Sequence, residues 1–554
     1  MGIGFRIKYY FFKYPLFRAL ILIGSCVAVF LFFIFSKTAY SPVIATINPT
    51  IGQSGDIMTI TGEHFGEKNS SSHVEINGMR LTSSSYLTWT DTVIKAVLPY
   101  NVSDGLVYVE TPSGRSDPGI FANKQTIPVP VQHNPIITVP QIQNITSSKY
   151  TVGSIITLNG QNFGNIRGDS EVLFDDAGFD NANNREFITC SQFNKDYQFW
   201  SDTQIQIRIP EGSTTGKVYV QTADGRSEGH NITISHTAGQ KTYVDSRNYI
   251  VQVSADVAEI KAEEYATVTL FMPMPAQSIQ QRSMQLLSSE IPAQMTYQNT
   301  FVHQISAQEA IRNKISLSHS VSIDVYGVQT NVNVNSVPQY SNTVLALYNE
   351  YLQADDLIPS DDEIVTETVG EIVGNERNPW RKAQALYNWT VENIQVLPTL
   401  NTADSSVLDA LENLQGDAYD MAVLYTAFLR AANIPAIVTA GILVDTDVKT
   451  VNHWWCEFYI EDIGWIPADP ALGANLPYKA FTNRENPAEF YFGNIDAQHI
   501  AFSRGQTKIN QTHIMGKKVY RPKSYALQSI WEESTSGVIG YSSYWPDARI
   551  IGIY

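Results

Sequence analysis

The residues equipped for chemistry gather late in the chain. In "NHWWCEFYI" an imidazole, His453, is followed at alternate positions by Trp455, Glu457 and Tyr459, and in "GWIPADPALG" Asp469 stands 16 residues beyond it, shortly after Trp465. A thiol beside an imidazole would suggest a nucleophile and its base. Cys456 does not meet that requirement: it lies three residues after His453 in a segment that reads as a strand, and odd separations place side chains on opposite faces. Zinc is not indicated, because "HWWC" offers one His and one Cys with no second ligand pair at a suitable spacing. No phosphate-cradling loop occurs, and no cofactor is expected.

A third segment, "QGDAYDMAVLYTAFLRAANIPA" from Gln415 to Ala436, reads as a loop entering a helix. Asp417 suits the N-cap, Ala422, Leu424, Tyr425, Phe428 and Leu429 supply an apolar face, and Asn433 ends the helix in a left-handed turn before Pro435. Together with "LIPSDDEI" upstream and "YFGNIDAQHIAFSRG" downstream, the three segments resemble the transglutaminase-like superfamily, whose core is related to papain-type cysteine proteases. The resemblance runs from about residue 241 to 515, counting the β region that often precedes such cores. It implies a thiolate at a helix N-terminus, activated by the helix dipole and an imidazolium, that attacks a carboxamide or peptide carbonyl. On that pattern His453 matches the base, Asp469 matches the carboxylate that orients it, and the cysteine's position is held by Ala418. Trp455, Glu457 and Trp465 are the expected binding residues, with core packing as their plainer role. A methyl group has no lone pair and cannot attack. The resemblance therefore implies a catalytically inactive binding or scaffold protein holding a peptide or protein ligand; an active transglutaminase-like acyltransferase or cysteine-type peptidase, with an unseen nucleophile or represented here by a variant whose nucleophile is mutated, is the competing reading.

The elements that must position these residues are helical from residue 343. "PWRKAQALYNWTVENI" starts with Pro379 at the first helical position, and Trp380, Ala383, Leu386, Tyr387, Trp389 or Thr390, and Ile394 form its buried face. An α+β domain is expected over 343–515, followed by an extension over 516–554. Before it, "NYIVQVSADV" and "VSIDVYGVQTNVNV" alternate with period two, which predicts a β-rich domain over 241–342. Nearer the N-terminus an internal repeat appears. "INPTIGQSGDIMTITGEHFGE", "WTDTVIKAVLP" and "GLVYVETPSGRSD" recur as "YTVGSIITLNGQNFGN", "WSDTQIQIRIP" and "GKVYVQTADGRSE". The second copy has a longer loop around "DDAGFDNANNREF", and "TIPVPVQHNPIITVP" reads as an extended connector between the copies. Both copies resemble IPT/TIG domains, the immunoglobulin-like sandwiches marked by a G-x-x-F-G turn, here Gly62, Phe65 and Gly66, and Gly160, Phe163 and Gly164. The turn glycines are expected to supply positive φ on either side of a phenylalanine plug. The modules are expected over 41–125 and 134–236, as spacers or, alternatively, as adhesive units.

Residues 19–36, "ALILIGSCVAVFLFFIFS", are uncharged and long enough as a helix to cross a bilayer. Arg6, Lys8, Lys13 and Arg18 precede them and Lys37 comes directly after, which predicts a single-pass membrane protein over 1–37 with a cytoplasmic N-terminus and an extracytoplasmic remainder. A cleaved signal peptide is the alternative; Lys37 near Ala39 spoils its cleavage pattern. Beyond Lys37 the chain holds 32 basic against 54 acidic residues, which argues against nucleic acid as a partner. Three cysteines, Cys26, Cys190 and Cys456, make no disulfide framework.

Overall fold

The computed structural model describes residues 40–126, 138–176 except 148, 187–306 except 264, 265 and 298, 314–400, 407–505, 518–520, 523–527 and 530–554, together with Lys13 and Pro15. Among the described residues no helix is long and apolar enough to cross a membrane. The span expected over 19–36 lies outside them, as do the connector residues 127–137 and most of the inserted loop, 177–186. The first repeat forms one compact unit, and the second repeat, the β-rich region and the helical region form another. The protein is multidomain, mostly β, with two immunoglobulin-like sandwiches and an α+β core.

Each repeat is two facing sheets. In the first, Ile57–Glu63 pairs between Val43–Asn48 and Val93–Val97, and in the second, Ile155–Gln161 pairs between Gln141–Thr146 and Gln204–Arg208. Alternate residues such as Met58 and Ile60, or Ile156 and Leu158, face a dry interior. The second glycine of the shared turn, Gly66 or Gly164, has the positive φ expected, whereas the first has a different cause. A Cβ on Gly62 would meet Val43 O at 1.8 Å, and one on Gly160 would meet Gln141 O at 2.0 Å, so the first glycine is required by close approach. Positive φ falls instead at His64 and Gly66, and at Asn162 and Gly164. The repeated Trp and Asp complete the motif: Trp89 Nε1 donates to Phe65 O and Gly66 N to Asp91, as Trp200 does to Phe163 O and Gly164 N to Asp202.

The β-rich region is built on two long antiparallel strands, β1 (Gly239–Ala262) and β2 (Ile315–Val332). Residues 530–554, read from sequence as an extension, supply strands to its sheets: Val538–Tyr544 and Arg549–Ile553 pair with β1, and Trp531–Ser534 pairs with Thr267–Pro273. In the α+β core, α1 (Glu363–Val373) and α2 (Pro379–Asn393) pack on α3 (Ala418–Ala431). The expected face of α2 is observed, with Thr390 buried rather than Trp389. Strands β3 (Ala436–Val444), β4 (Thr450–Ile460), β5 (Gly464–Ala468) and, after the short helix α4 (Pro470–Gly473), β6 (His499–Arg504) make one sheet in the order β5-β4-β3-β6. Every residue from Ala418 to Arg430 is buried, so α3 is the central helix of this layer.

The second repeat shares its interior with the β-rich region and the α+β core. Tyr243 of β1, Tyr326 of β2 and Trp455 of β4 join Ile156, Val172 and Ile207 in one cluster. Glu211 fastens the seam: its carboxylate accepts from Lys241 Nζ at 2.9 Å, from the Tyr243 hydroxyl at 3.3 Å and from Trp465 N at 2.6 Å, all buried. Replacing it leaves an ammonium without its counter-charge in a dry interface. Glu211→Ala is expected to destabilise the second unit by about 3–5 kcal/mol in urea unfolding monitored by tryptophan fluorescence. A loss below about 1 kcal/mol would show that the seam does not couple the sandwich to the core.

Candidate functional site

The site begins at the N-terminus of α3. Asp417 is the N-cap, accepting from Asp420 N at 3.0 Å, while Asp420 accepts from Asp417 N at 3.1 Å, so two orphan amide donors are satisfied reciprocally. Ala418 is the first helical residue and is 5% exposed. Asn433 closes the helix end at φ 61°, as its sequence position before Pro435 predicts. Lys523, from the region read as an extension, reaches this helix start. Its ammonium lies 3.2 Å from both Asp417 and Asp420 and 4.8 Å from the centre of the Tyr419 ring. Burial and the Asp417 charge push the Asp420 pKa up, and Lys523 opposes them.

Strand alternation places the imidazole. Trp454 and Cys456 join the α3 core, whereas His453 lies on the other face of β4 with Trp455. The thiol is therefore turned away from the imidazole, as the odd spacing requires. Burial pushes Cys456 up to about 12 and Cys190 well above the ordinary thiol value, and both are free thiols. His453 and Asp469 come together: Nε2 donates to Asp469 Oδ2 at 2.6 Å, with both side chains buried.

Sequence reasoning missed the third member of this cluster, His499 on β6. Its Nε2 donates to the same Asp469 oxygen at 3.1 Å, and its Nδ1 donates to Asp496 at 2.8 Å. The signal was the Asp-x-x-His spacing inside the downstream segment, where a turn brings Asp496 back onto the ring. Burial, the largest single influence, disfavours an imidazolium here, but Asp496 and Asp469 together raise His499 to about 9. Burial likewise opposes charge on Asp469; the His453 charge and hydrogen bonds from both imidazoles outweigh it and hold the carboxyl well below its usual range. The second Asp469 oxygen caps α4, accepting from Leu472 N at 2.9 Å. The three side chains present ligand atoms within 4.8 Å of one another, yet hydrogen bonding already accounts for their grouping.

The other expected residues are committed to packing. Trp455 is 1% exposed in the seam with the second sandwich, and Trp465 packs against Tyr348, Tyr351 and Tyr459. Glu457 makes a two-pronged pair with Arg504, at 3.0 Å from Nε and 2.6 Å from Nη2, and accepts from Thr439. Desolvation would raise its pKa; the Arg504 charge and these hydrogen bonds bring it down instead.

Comparison with known proteins agrees with this architecture. Residues 366–470 match the transglutaminase-like superfamily core, and residues 42–132 and 140–246 each match the IPT/TIG domain. An uncharacterized protein of Haemophilus influenzae is 29% identical over 197 residues, covering 30% of this chain and 52% of that protein. A cyclomaltodextrin glucanotransferase of Paenibacillus macerans is 42% identical over 76 residues, covering 13% of this chain and 10% of the enzyme. The chain thus spans about half the length of the first of these curated relatives and a tenth of the second. The periplasmic domain of TgpA from Pseudomonas aeruginosa is 12% identical with a TM-score of 0.23, over 43% of this chain and 88% of that domain. The chain carries a transglutaminase-like superfamily core behind two IPT/TIG domains.

Proposed function

We propose that this is a membrane-anchored, extracytoplasmic binding or scaffold protein whose transglutaminase-like core has lost its nucleophile. One observation carries the reading: a methyl group, Ala418, stands at the start of the buried helix while the His453–Asp469 pair is kept intact. Neither thiol in the described residues offers a replacement, because both are buried and hard to ionise. The helix start is also filled internally, with Lys523 between Asp417 and Asp420 where an ionised thiol would have drawn a counter-charge. The ligand class proposed is a peptide or amide-bearing segment, held without cleavage or cross-linking. The uncharged run over 19–36 and its preceding basic residues support the anchor and its orientation.

The first test restores the thiol. Ala418→Cys places sulfur at a helix N-terminus with Lys523 close by, both of which favour the thiolate. Its alkylation at neutral pH is expected to be about tenfold or more faster than that of Cys190 or Cys456, and slower again when His453→Ala or Lys523→Ala is added. A rate equal to an exposed model thiol and indifferent to His453 would mean that the site is not preorganised and that the core is an interaction fold alone.

The second test concerns the retained acid–base cluster. The folded-state pKa of His499, about 9, lies above its unfolded value, so its stabilisation is complete below the unfolded pKa and is lost as pH rises towards 9. Asp469 and Asp496 are depressed, so theirs is present above the ordinary carboxylate range and lost as pH falls below it. Stability should peak between about pH 4 and 6.5 and fall by roughly 1–3 kcal/mol towards pH 9. His499→Gln should flatten the alkaline limb of the urea midpoint plotted against pH; an unchanged limb would assign it to other groups.

Topology is tested separately. Protease added to cells whose outer wall has been made permeable should degrade the part of the chain after Lys37, and complete protection would overturn the orientation.

A further inference from the structure

A cavity away from the His453 cluster is lined by uncharged polar groups. Where β1 leaves the second sandwich, it pairs with the end of β2 so that Gln240 lies opposite Asn331 and Thr242 opposite Gln329. Side chains that face each other across a strand pair share one face of the sheet. The result is a floor of three amides and a hydroxyl, with Gln329 and Asn331 exposed, and it lines an open cavity of about 740 Å³ together with His236, Thr330 and Phe490. The amide groups of Gln240, Gln329 and Asn331 make no hydrogen bond to another described residue.

The lining is unsatisfied at His236 as it stands. Both ring nitrogens of His236 are shielded from solvent and unpartnered among the described residues, and so is Thr330 Oγ1. Thr330 Oγ1 lies on the opposite face of β2 from Gln329 and Asn331, with its Cβ towards Gly493, so the two His236 nitrogens are the orphans that call for a partner from outside, since buried polar atoms are ordinarily paired. Desolvation lowers the His236 pKa, which favours the neutral ring with one donor and one acceptor.

We propose that this cavity binds a neutral, hydroxyl-rich ligand: a saccharide of one or two rings, free or as the end of a longer glycan. Each sugar hydroxyl donates one hydrogen bond and accepts others, which matches an amide floor and a neutral imidazole. Phe490, whose ring carries the Arg484 guanidinium 3.7 Å from its centre, adds apolar surface at the edge of the cavity. Carboxylates, ammonium groups and guanidinium groups are absent from the lining, so nothing in it counters the charge of a phosphate, an acidic sugar or a peptide terminus. A peptide fits less well, because strand addition needs free backbone groups and the floor presents side chains from two strands already paired to each other. The cavity shares no residue with the His453 cluster or the α3 helix start, and the proposal stands whether or not that core is inactive.

The test is a printed array of neutral mono- and oligosaccharides probed with the full-length chain, with calorimetry then run on the best-bound sugar. Binding to at least one neutral saccharide is expected, with affinity reduced at least tenfold by Gln240→Ala combined with Asn331→Ala, and reduced separately by His236→Ala. The two floor residues carry no internal hydrogen bond through their side chains, so the double variant should keep the wild-type unfolding curve. Absence of binding to every neutral saccharide would overturn the proposal. So would binding that the double variant leaves unchanged, or preferential binding of an uncharged blocked peptide, acetyl-trialanine amide, that the same variants abolish.

Discussion

Asp469 is the carboxylate on which the core is assembled. It lies between β5 and α4, and its polar atoms bond four different parts of the chain: Oδ1 to the start of α4, Oδ2 to His453 on β4 and His499 on β6, and its carbonyl to the Tyr387 hydroxyl on α2. A carboxylate with no solvent exposure is expensive unless its charge is met on all sides. Here two imidazoles and a backbone amide meet it, and Asp496 in turn fixes the second imidazole. The strand order β5-β4-β3-β6 puts His453 and His499 on strands two positions apart in the sheet, so no single segment could have formed this arrangement. It exists only when the whole sheet does.

That dependence explains what was legible in the sequence. Features set by neighbours along the chain could be read directly: the Asp417 cap, the left-handed Asn433, the α2 face and the His453 side of β4 are all consequences of spacing within a dozen residues. The two sandwiches were legible because their turn occurs twice, although the role of Gly62 and Gly160 came from tertiary contact with a neighbouring strand and not from their own φ. His499, Lys523 and Glu211 were not legible. Each acts across a gap that only folding closes, 30 residues to Asp469, 106 to Asp417 and 254 to Trp465, and none sits in a periodic pattern. The joining of residues 530–554 to β1 is the same kind of event, since an edge strand gives no local sign of its partner.

The seam at Glu211 bears on how the modules are understood. A spacer shares little interior with its neighbour, and its surface can drift without consequence for the domain it carries. The second sandwich instead contributes to a hydrophobic cluster that includes Trp455, two residues from His453 on the same face of β4. Its packing thereby sets the position of the wall behind the imidazole. The Arg504–Glu457 pair extends the connection, because Arg504 also donates to Asn194 of the sandwich. The second module is thus part of the scaffold of the site.

The start of α3 can then be weighed as an electrostatic problem. A helix N-terminus in a buried setting requires partners for its amides and tolerates anionic groups nearby. In a thiolate enzyme the nucleophile supplies one of those anions. Here Asp417 and Asp420 supply two, arranged as a capping box, and Lys523 balances them from outside the helix. A methyl at residue 418 needs no partner and leaves none of these groups unpaired. The Asp469 cluster is similarly self-sufficient, since its charges are met by one another. The Asp417–Asp420–Lys523 group and the Asp469 cluster are each held by folding interactions of their own, and the presence of His453 and Asp469 is by itself no argument for catalysis.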